Sequence, residues 1–316
     1  MMTIHPLAPQ DAAPVAAMRQ AMSAHKGHRL GPEARPMFDA MLGAVPAAAG
    51  VAAEPATVGG IPGFRLRPTN PRPDARLLYI HGGGYMLGSA RAFTSFAGQI
   101  AARVGVEAFI PDYRLAPEHK FPAALDDVLG AYRGLAAEGA DRIVIAGDSA
   151  GGGLTLALLS RLTASREAGL PHPAGAAVLS PWTDLALTAA SMKTRAEADP
   201  IFTRDVLQTF ADAYLHGQRA DDPMASPLHA ALETLPPIRI DVGNDEILLD
   251  DATRYAERAR AAGVEITLSV WEGMPHVFQS SLGRFLAAEQ SLNAIGDFLH
   301  RRVVNGIAPD TNQSDA

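Results

Sequence analysis

Ser149 lies in Ile143-Val-Ile-Ala-Gly-Asp-Ser-Ala-Gly-Gly-Gly-Leu-Thr-Leu-Ala, a β-forming run that passes through Gly147-x-Ser149-x-Gly151 into a helix-forming one. A sharp strand-to-helix turn of this kind, a nucleophile elbow, exposes a serine hydroxyl at the end of a sheet. Glycines two positions either side keep side chains out of the neighbouring strand and helix. The helix N-terminus that follows favours negative charge developing at Ser149. The chain has no cysteine, so disulfides, thiolate metal sites and a thiol nucleophile are excluded, and covalent chemistry falls to Ser, Thr, Lys or carboxylates.

Upstream, Leu77-Leu-Tyr-Ile-His-Gly-Gly-Gly-Tyr85 leaves another β-forming run into a string of glycines. Exposed backbone N–H groups held in place beforehand stabilise a tetrahedral oxyanion, and one such donor is worth about 100- to 1000-fold in rate. The N–H groups of Gly82, Gly83 and Ala150 are the expected donors. His81 abuts the glycine run, which suits a residue that holds the loop better than a general base.

His81-Gly-Gly-Gly, Asp112-Tyr-Arg-Leu-Ala-Pro-Glu118 and Gly147-Asp-Ser-Ala-Gly-Gly152 together resemble the bacterial hormone-sensitive-lipase family of carboxylesterases, in the branch with Asp before the nucleophile. The resemblance implies an α/β-hydrolase fold with a helical cap, and a triad in the chain order serine, acid, histidine. Five carboxylates follow at 241–251: Asp241 falls within a strand, Asp250 and Asp251 begin a helix they can cap, and Asp245 and Glu246 lie in the turn between. Catalytic groups gather beyond the carboxyl ends of strands in open α/β sheets. The family places its acid first in an Asp-Pro-Leu-like motif, which Asp245-Glu-Ile resembles with Glu in place of Pro. Asp245 is therefore the expected acid and Glu246 its rival. His276, in Gly-Met-Pro-His-Val-Phe278, matches the family's His-x-Phe and is the expected base.

Tyr85, Met86, Phe202, Tyr214, Leu248, Val277 and Phe278 are candidate pocket walls. Arg114 and Glu118 are expected to pair and shape a loop, and Ser180-Pro-Trp-Thr-Asp184 reads as structural. The other histidines form neither a HExxH pattern nor a cluster, so neither a metal site nor a cofactor is expected. The resemblance implies esters or lactones of short to medium acyl chain, rather than long-chain fats, as substrates, and a homodimer, since members of the family are often dimers. Gly243-Asn-Asp-Glu-Ile-Leu-Leu-Asp-Asp251 resembles monoterpene lactone hydrolases, which makes a lactonase the leading alternative, with a deacetylase or amidase after it. A non-catalytic small-molecule receptor of the plant gibberellin type, which resembles this family without the histidine, is disfavoured by His276.

Positioning these groups requires a framework, and the apolar runs at 77–80, 107–110, 143–146, 176–179, 238–242 and 266–270 supply one. Such short apolar runs are what a parallel strand buried on both faces looks like. Helical periodicity at 123–137, 152–168 and 250–262 alternates with them, giving an α/β chain with a mostly parallel central sheet and helices on both faces. Residues 51–73 read as an early hairpin or edge strands. Segments 1–50 and 186–222 interrupt the rhythm as helical cap pieces, leaving 51–185 and 223–304 as the core and 305–316 as a polar, disordered tail.

With 316 residues, 47% of them hydrophobic, the chain can bury a sizeable core, and a formal charge of −7 without a basic run offers nothing to a phosphate backbone. Nucleic acid is not an expected partner. The N-terminal residues lack a basic stretch followed by an apolar one, and 143–159 carries Asp148 within its glycines. Neither a signal peptide nor a membrane span is expected, and the location expected is cytoplasmic.

Overall fold

Short runs of Val, Ile, Leu and Ala with no polar face cannot sit against water, and they line up side by side beneath helices. The structure, a computed structural model, describes residues 2–28, 30–165 and 169–305. The strands are β1 (Met2–His5), β2 (Val51–Val58), β3 (Ile61–Pro68), β4 (Arg72–Ile80), β5 (Val106–Pro111), β6 (Arg142–Asp148), β7 (Gly175–Leu179), β8 (Ile238–Gly243) and β9 (Ile266–Trp271). The helices are α1 (Pro9–Ser23), α2 (Arg35–Gly43), α3 (Thr94–Val104), α4 (Ala123–Ala137), α5 (Ser149–Ser165), α6 (Ser191–Thr194), α7 (Arg204–Leu215), α8 (Leu249–Ala261) and α9 (Leu286–Asn305).

Among the described residues nine strands form one sheet, in the order β1-β9-β8-β7-β6-β4-β5-β3-β2. The β2–β3 and β3–β5 pairs are antiparallel and the rest parallel. Alternate side chains go to opposite faces. Leu78, Ile80, Ile143, Ile145, Val178 and Ile240 pack with α4, α5 and α8. Leu77, Tyr79, Val144, Ala146 and Leu179 pack with α3 and α9. Each Ile, Leu or Val buried this way contributes about 2 kcal/mol.

The expected hairpin is β2–β3, and the expected helix at 123–137 is α4. β1 was not expected: it lies parallel to β9 at the sheet edge, with His5 stacked on Trp271 at 3.8 Å and 8°. Just after it, Asp11 is buried and accepts the Leu286 N–H (2.7 Å) and Ala287 N–H (2.9 Å), capping α9 where its dipole favours an anion. The final residues of the helix expected at 152–168, and the tail expected from 305 onward, lie outside the described residues apart from position 305, which closes α9. No helix among the described residues is long and apolar enough to cross a membrane.

Candidate active site

β6 ends at Asp148 and α5 begins at Ser149 with no connecting residue, which requires Ser149 to adopt φ 54°, a left-handed conformation that costs energy outside glycine. The flanking glycines are sterically required. A Cβ at Gly151 would lie 2.1 Å from the Ile80 carbonyl oxygen, and one at Gly147 2.5 Å from that of Gly151. The Ser149 carbonyl accepts the Trp182 N–H at 3.0 Å, tying the elbow to the loop after β7.

The histidine and its partner stand beyond β9 and β8. His276 Nδ1 is 2.6 Å from Glu246 Oε2, and both residues are buried. Glu246 Oε1 accepts the Ser180 hydroxyl and the Gly243 N–H, each at 2.7 Å, so every direction in which this carboxylate points is occupied. The expectation of Asp245 is therefore corrected. Its carboxylate turns outward to the guanidinium of Arg19 on α1 and to Asn244 Nδ2 at 3.2 Å. The strand ends at Gly243 and the turn aims alternate side chains differently, placing the third residue of the turn inward and the second outward.

The Val277 N–H donates to Ser180 Oγ at 3.1 Å, so Ser180 links the acid loop to the histidine loop. Sequence reasoning read Ser180 as structural; its place at the end of β7, beside β8, was the signal for more. Val277 itself takes φ 48°, which a β-branched residue adopts only under constraint. Burial opposes the imidazolium, but the charge and hydrogen bond of Glu246, with Asp199 and Asp148, outweigh it and raise the His276 pKa above the ordinary value. His276 Nε2 is buried with no partner among the described residues, and the ring lies close enough to Asp148, the neighbour of Ser149, for their charges to interact.

The glycine loop departs from expectation at one position. The Gly82 N–H is committed to Asp148 Oδ1 at 3.0 Å, which corrects its assignment as an oxyanion donor. Gly83 and Gly84 take φ 116° and 63°, and no hydrogen bond joins either N–H to another described residue. The Ala150 N–H belongs to the first turn of α5, where no intrahelical acceptor exists. Gly84 thus leaves its N–H as free as that of Gly83, which the glycine run alone does not announce because it does not say where the chain turns. His81 is fully buried between Tyr113 and Phe93, with ring centroids at 4.3 and 5.2 Å, and its carbonyl accepts the Tyr113 hydroxyl at 2.8 Å. Its place is that of a loop holder.

Asp148 Oδ1 also accepts the Tyr79 hydroxyl at 2.7 Å. Burial pushes its pKa up to about 6, although Tyr79 and the Gly82 N–H pull it down. A raised carboxyl pKa gives a stability contribution that is present below the ordinary value of 3.8 and lost as pH climbs through about 6. The ionised group thus costs about 3 kcal/mol at neutral pH. Asp148→Asn is expected to raise Tm by several degrees at pH 8 and leave it nearly unchanged at pH 4, as thermal melts at the two pH values will read.

Of the candidate walls, Tyr85 stacks on Tyr214 at 3.9 Å and 5°, and Phe202 meets His276 edge-on at 5.1 Å and 80°. Met86 and Leu248 are buried in the core between the sheet and α4, α5 and α8. Val277 packs among residues of α3 and α9. Phe278 is corrected outright: it packs on Trp271 with Val15, Met274 and Phe285 in a separate cluster, 1% exposed. Phe210 of α7, not foreseen, lies so near Gly84 that a Cβ there would sit 2.8 Å from its ring. The expected Arg114–Glu118 pair is also replaced. Arg114 binds Asp127 of α4, and Glu118 binds Arg35 of α2, which also reaches the Met86 and Ala116 carbonyls.

A family model described as the alpha/beta hydrolase fold matches residues 77–280, a span that holds Gly83, Ser149, Glu246 and His276. An acetyl-hydrolase of Streptomyces hygroscopicus is 38% identical over 254 residues, covering 79% of this chain and 83% of its own. An esterase of Acinetobacter venetianus is 34% identical over 267 residues, covering 84% and 87%. Among solved structures, an esterase from the bacterial hormone-sensitive lipase family superposes with a TM-score of 0.85 at 38% identity, over 94% of this chain and 99% of the other. The hormone-sensitive-lipase homologue EstE7, from a metagenome library, gives 0.84 at 39% identity over 92% and 98%.

Proposed function

Since the chain belongs to the α/β-hydrolase fold family, among the bacterial hormone-sensitive-lipase esterases, we propose that it hydrolyses carboxylic esters of short to medium acyl chain through an acyl-enzyme on Ser149. The observation that carries this reading is the buried His276–Glu246 pair, whose Nε2 is left without a protein partner beside the elbow. In this reading His276 Nε2 takes the Ser149 hydroxyl proton as Oγ attacks the ester carbonyl, and Glu246 holds Nδ1–H and stabilises the imidazolium. The N–H groups of Gly83, Gly84 and Ala150 receive the oxyanion. His276 then protonates the departing alcohol, and a water activated by the same nitrogen releases the acid. Every proton moves between groups of this chain, substrate and water.

Segments 1–50 and 186–222 act as a cap in this reading, since Arg19, Phe202, Phe210 and Tyr214 all come from them and reach the site loops. The names of the relatives, esterase and acetyl-hydrolase, support a short acyl group. The test is hydrolysis of p-nitrophenyl acetate through hexanoate and of a set of cyclic lactones, together with mass-spectrometric location of a phosphonate adduct. Turnover with a single adduct on Ser149 is expected, with esters ahead of lactones. Absence of turnover on every member sinks the reading, and preference for lactones replaces it with a lactonase. A homodimer and a cytoplasmic location are further proposals that rest on the sequence; light scattering on the purified chain reads the first, and fractionation of the source cells the second.

A further inference from the structure

Asp199 stands between α6 and α7 and is fully buried. Its Oδ1 accepts the Ile201 N–H (2.7 Å) and the Phe202 N–H (2.8 Å), and its Oδ2 accepts the Ile247 N–H (2.9 Å). Ile247 is the residue after Glu246, so one carboxylate joins the segment before α7 to the acid loop. Phe202, held by the same carboxylate, meets the imidazole of His276 edge-on. The rest of the acid loop is gripped from the same side. Ser191 Oγ binds the Ile247 carbonyl at 2.6 Å, and Arg195 binds Asn244 Oδ1 at 3.1 Å. Neither brings a negative charge to the histidine.

We propose that Asp199 is a positioning residue for the His276–Glu246 pair: it fixes the acid loop through the Ile247 N–H, seats Phe202 on the imidazole edge, and adds a buried negative charge that favours the imidazolium. The proposal rests on the ester-hydrolase reading above. Burial raises the Asp199 pKa above the ordinary carboxylate value, while the three N–H donors and His276 pull it down; all three groups bonded to it are donors, so a protonated carboxyl would find no acceptor there. The charged groups that face His276 are Glu246 from the loop after β8, Asp199, and Asp148 from the end of β6. Asp199 thus adds to the histidine's basicity from outside the core sheet and its loops.

Removing that charge lowers the imidazole pKa, whereas removing the ring that shields the imidazole from water raises it, because burial opposes the charged form. The test is the pH profile of kcat/KM on p-nitrophenyl butyrate for the full chain, with Asp199→Asn, Asp199→Glu and Phe202→Leu beside wild type, each checked by thermal melting. Asp199→Asn is expected to lower kcat about tenfold with KM within about twofold, and to move the ascending limb to lower pH. Asp199→Glu is expected to return the limb toward its wild-type position, and Phe202→Leu to move it to higher pH. A limb that stays in place in Asp199→Asn, whatever happens to Tm, overturns the proposal as a merely structural role. If Asp199→Asn does not fold, Phe202→Leu decides, and a limb and kcat equal to wild type overturn the proposal. Wild type that turns over no ester defeats the hydrolase reading itself and is recognised before any variant is made.

Discussion

Glu246→Gln is expected to cut kcat by about 10⁴-fold with little change in fold. The argument lies in the count of donors around one carboxylate. Oε2 faces His276 Nδ1, and Oε1 already takes the Ser180 hydroxyl and the Gly243 N–H. A glutamine amide placed with its NH₂ toward His276 sets donor against donor unless the imidazole changes tautomer, and the changed tautomer carries its proton on Nε2, where it cannot act as a base. Placed the other way, the NH₂ faces the Gly243 N–H in a fully buried site, and the turn that holds the acid is strained instead. Asp245→Asn is the control. It loses an ion pair to Arg19 whose side chains are 30% and 20% exposed, an interaction worth about 1 kcal/mol or less, so kcat is expected to stay within about threefold of wild type. Steady-state kinetics on a p-nitrophenyl ester separates the two. Loss on Asp245→Asn with activity kept by Glu246→Gln would return the acid to the position that its place in the turn first suggests.

Ser149→Ala is expected to remove about 10⁶-fold in kcat and to abolish the phosphonate adduct, while the chain stays folded. Alanine meets the same backbone demand as serine at φ 54°, so the elbow keeps its geometry and only the nucleophile is lost. In the proposed mechanism the residual rate is supplied by the N–H groups of Gly83, Gly84 and Ala150, which the substitution leaves in place. A variant that retains more than about 1% of wild-type turnover, free of contaminating wild type, would show that water is activated directly and that no acyl-enzyme forms.

What could be read from the sequence follows the range of the forces involved. The strands from β4 to β9 declare themselves because their short, mostly apolar runs are buried on both faces, and the elbow because the Gly147-x-Ser149-x-Gly151 spacing is itself local. β1 is silent for the opposite reason: it is four residues long at a sheet edge, with Met2 and Ile4 each 56% exposed, too short a run to announce a strand, and only β9 makes it one. The choice between Asp245 and Glu246 was beyond local reading because it is settled by Arg19 on one side and Ser180 on the other, both remote in sequence. Gly82 was misjudged for a similar reason. Its acceptor, Asp148, sits inside the motif that announced the nucleophile, yet nothing in the spacing says that this side chain turns back to the glycine loop.

The β1–β9 pairing has a consequence for how the chain acquires its shape. Met2 lies opposite Leu268 and His5 opposite Trp271, so β1 leaves the ribosome some 266 residues ahead of the strand it needs. Asp11 likewise waits for Leu286 and Ala287 before it can cap α9. During synthesis β1 therefore has no native strand partner, and the β9 edge, once made, remains open until β1 returns to it. Contacts this distant along the chain form late and slowly. An affinity tag or fusion placed ahead of Met2 would burden that closure.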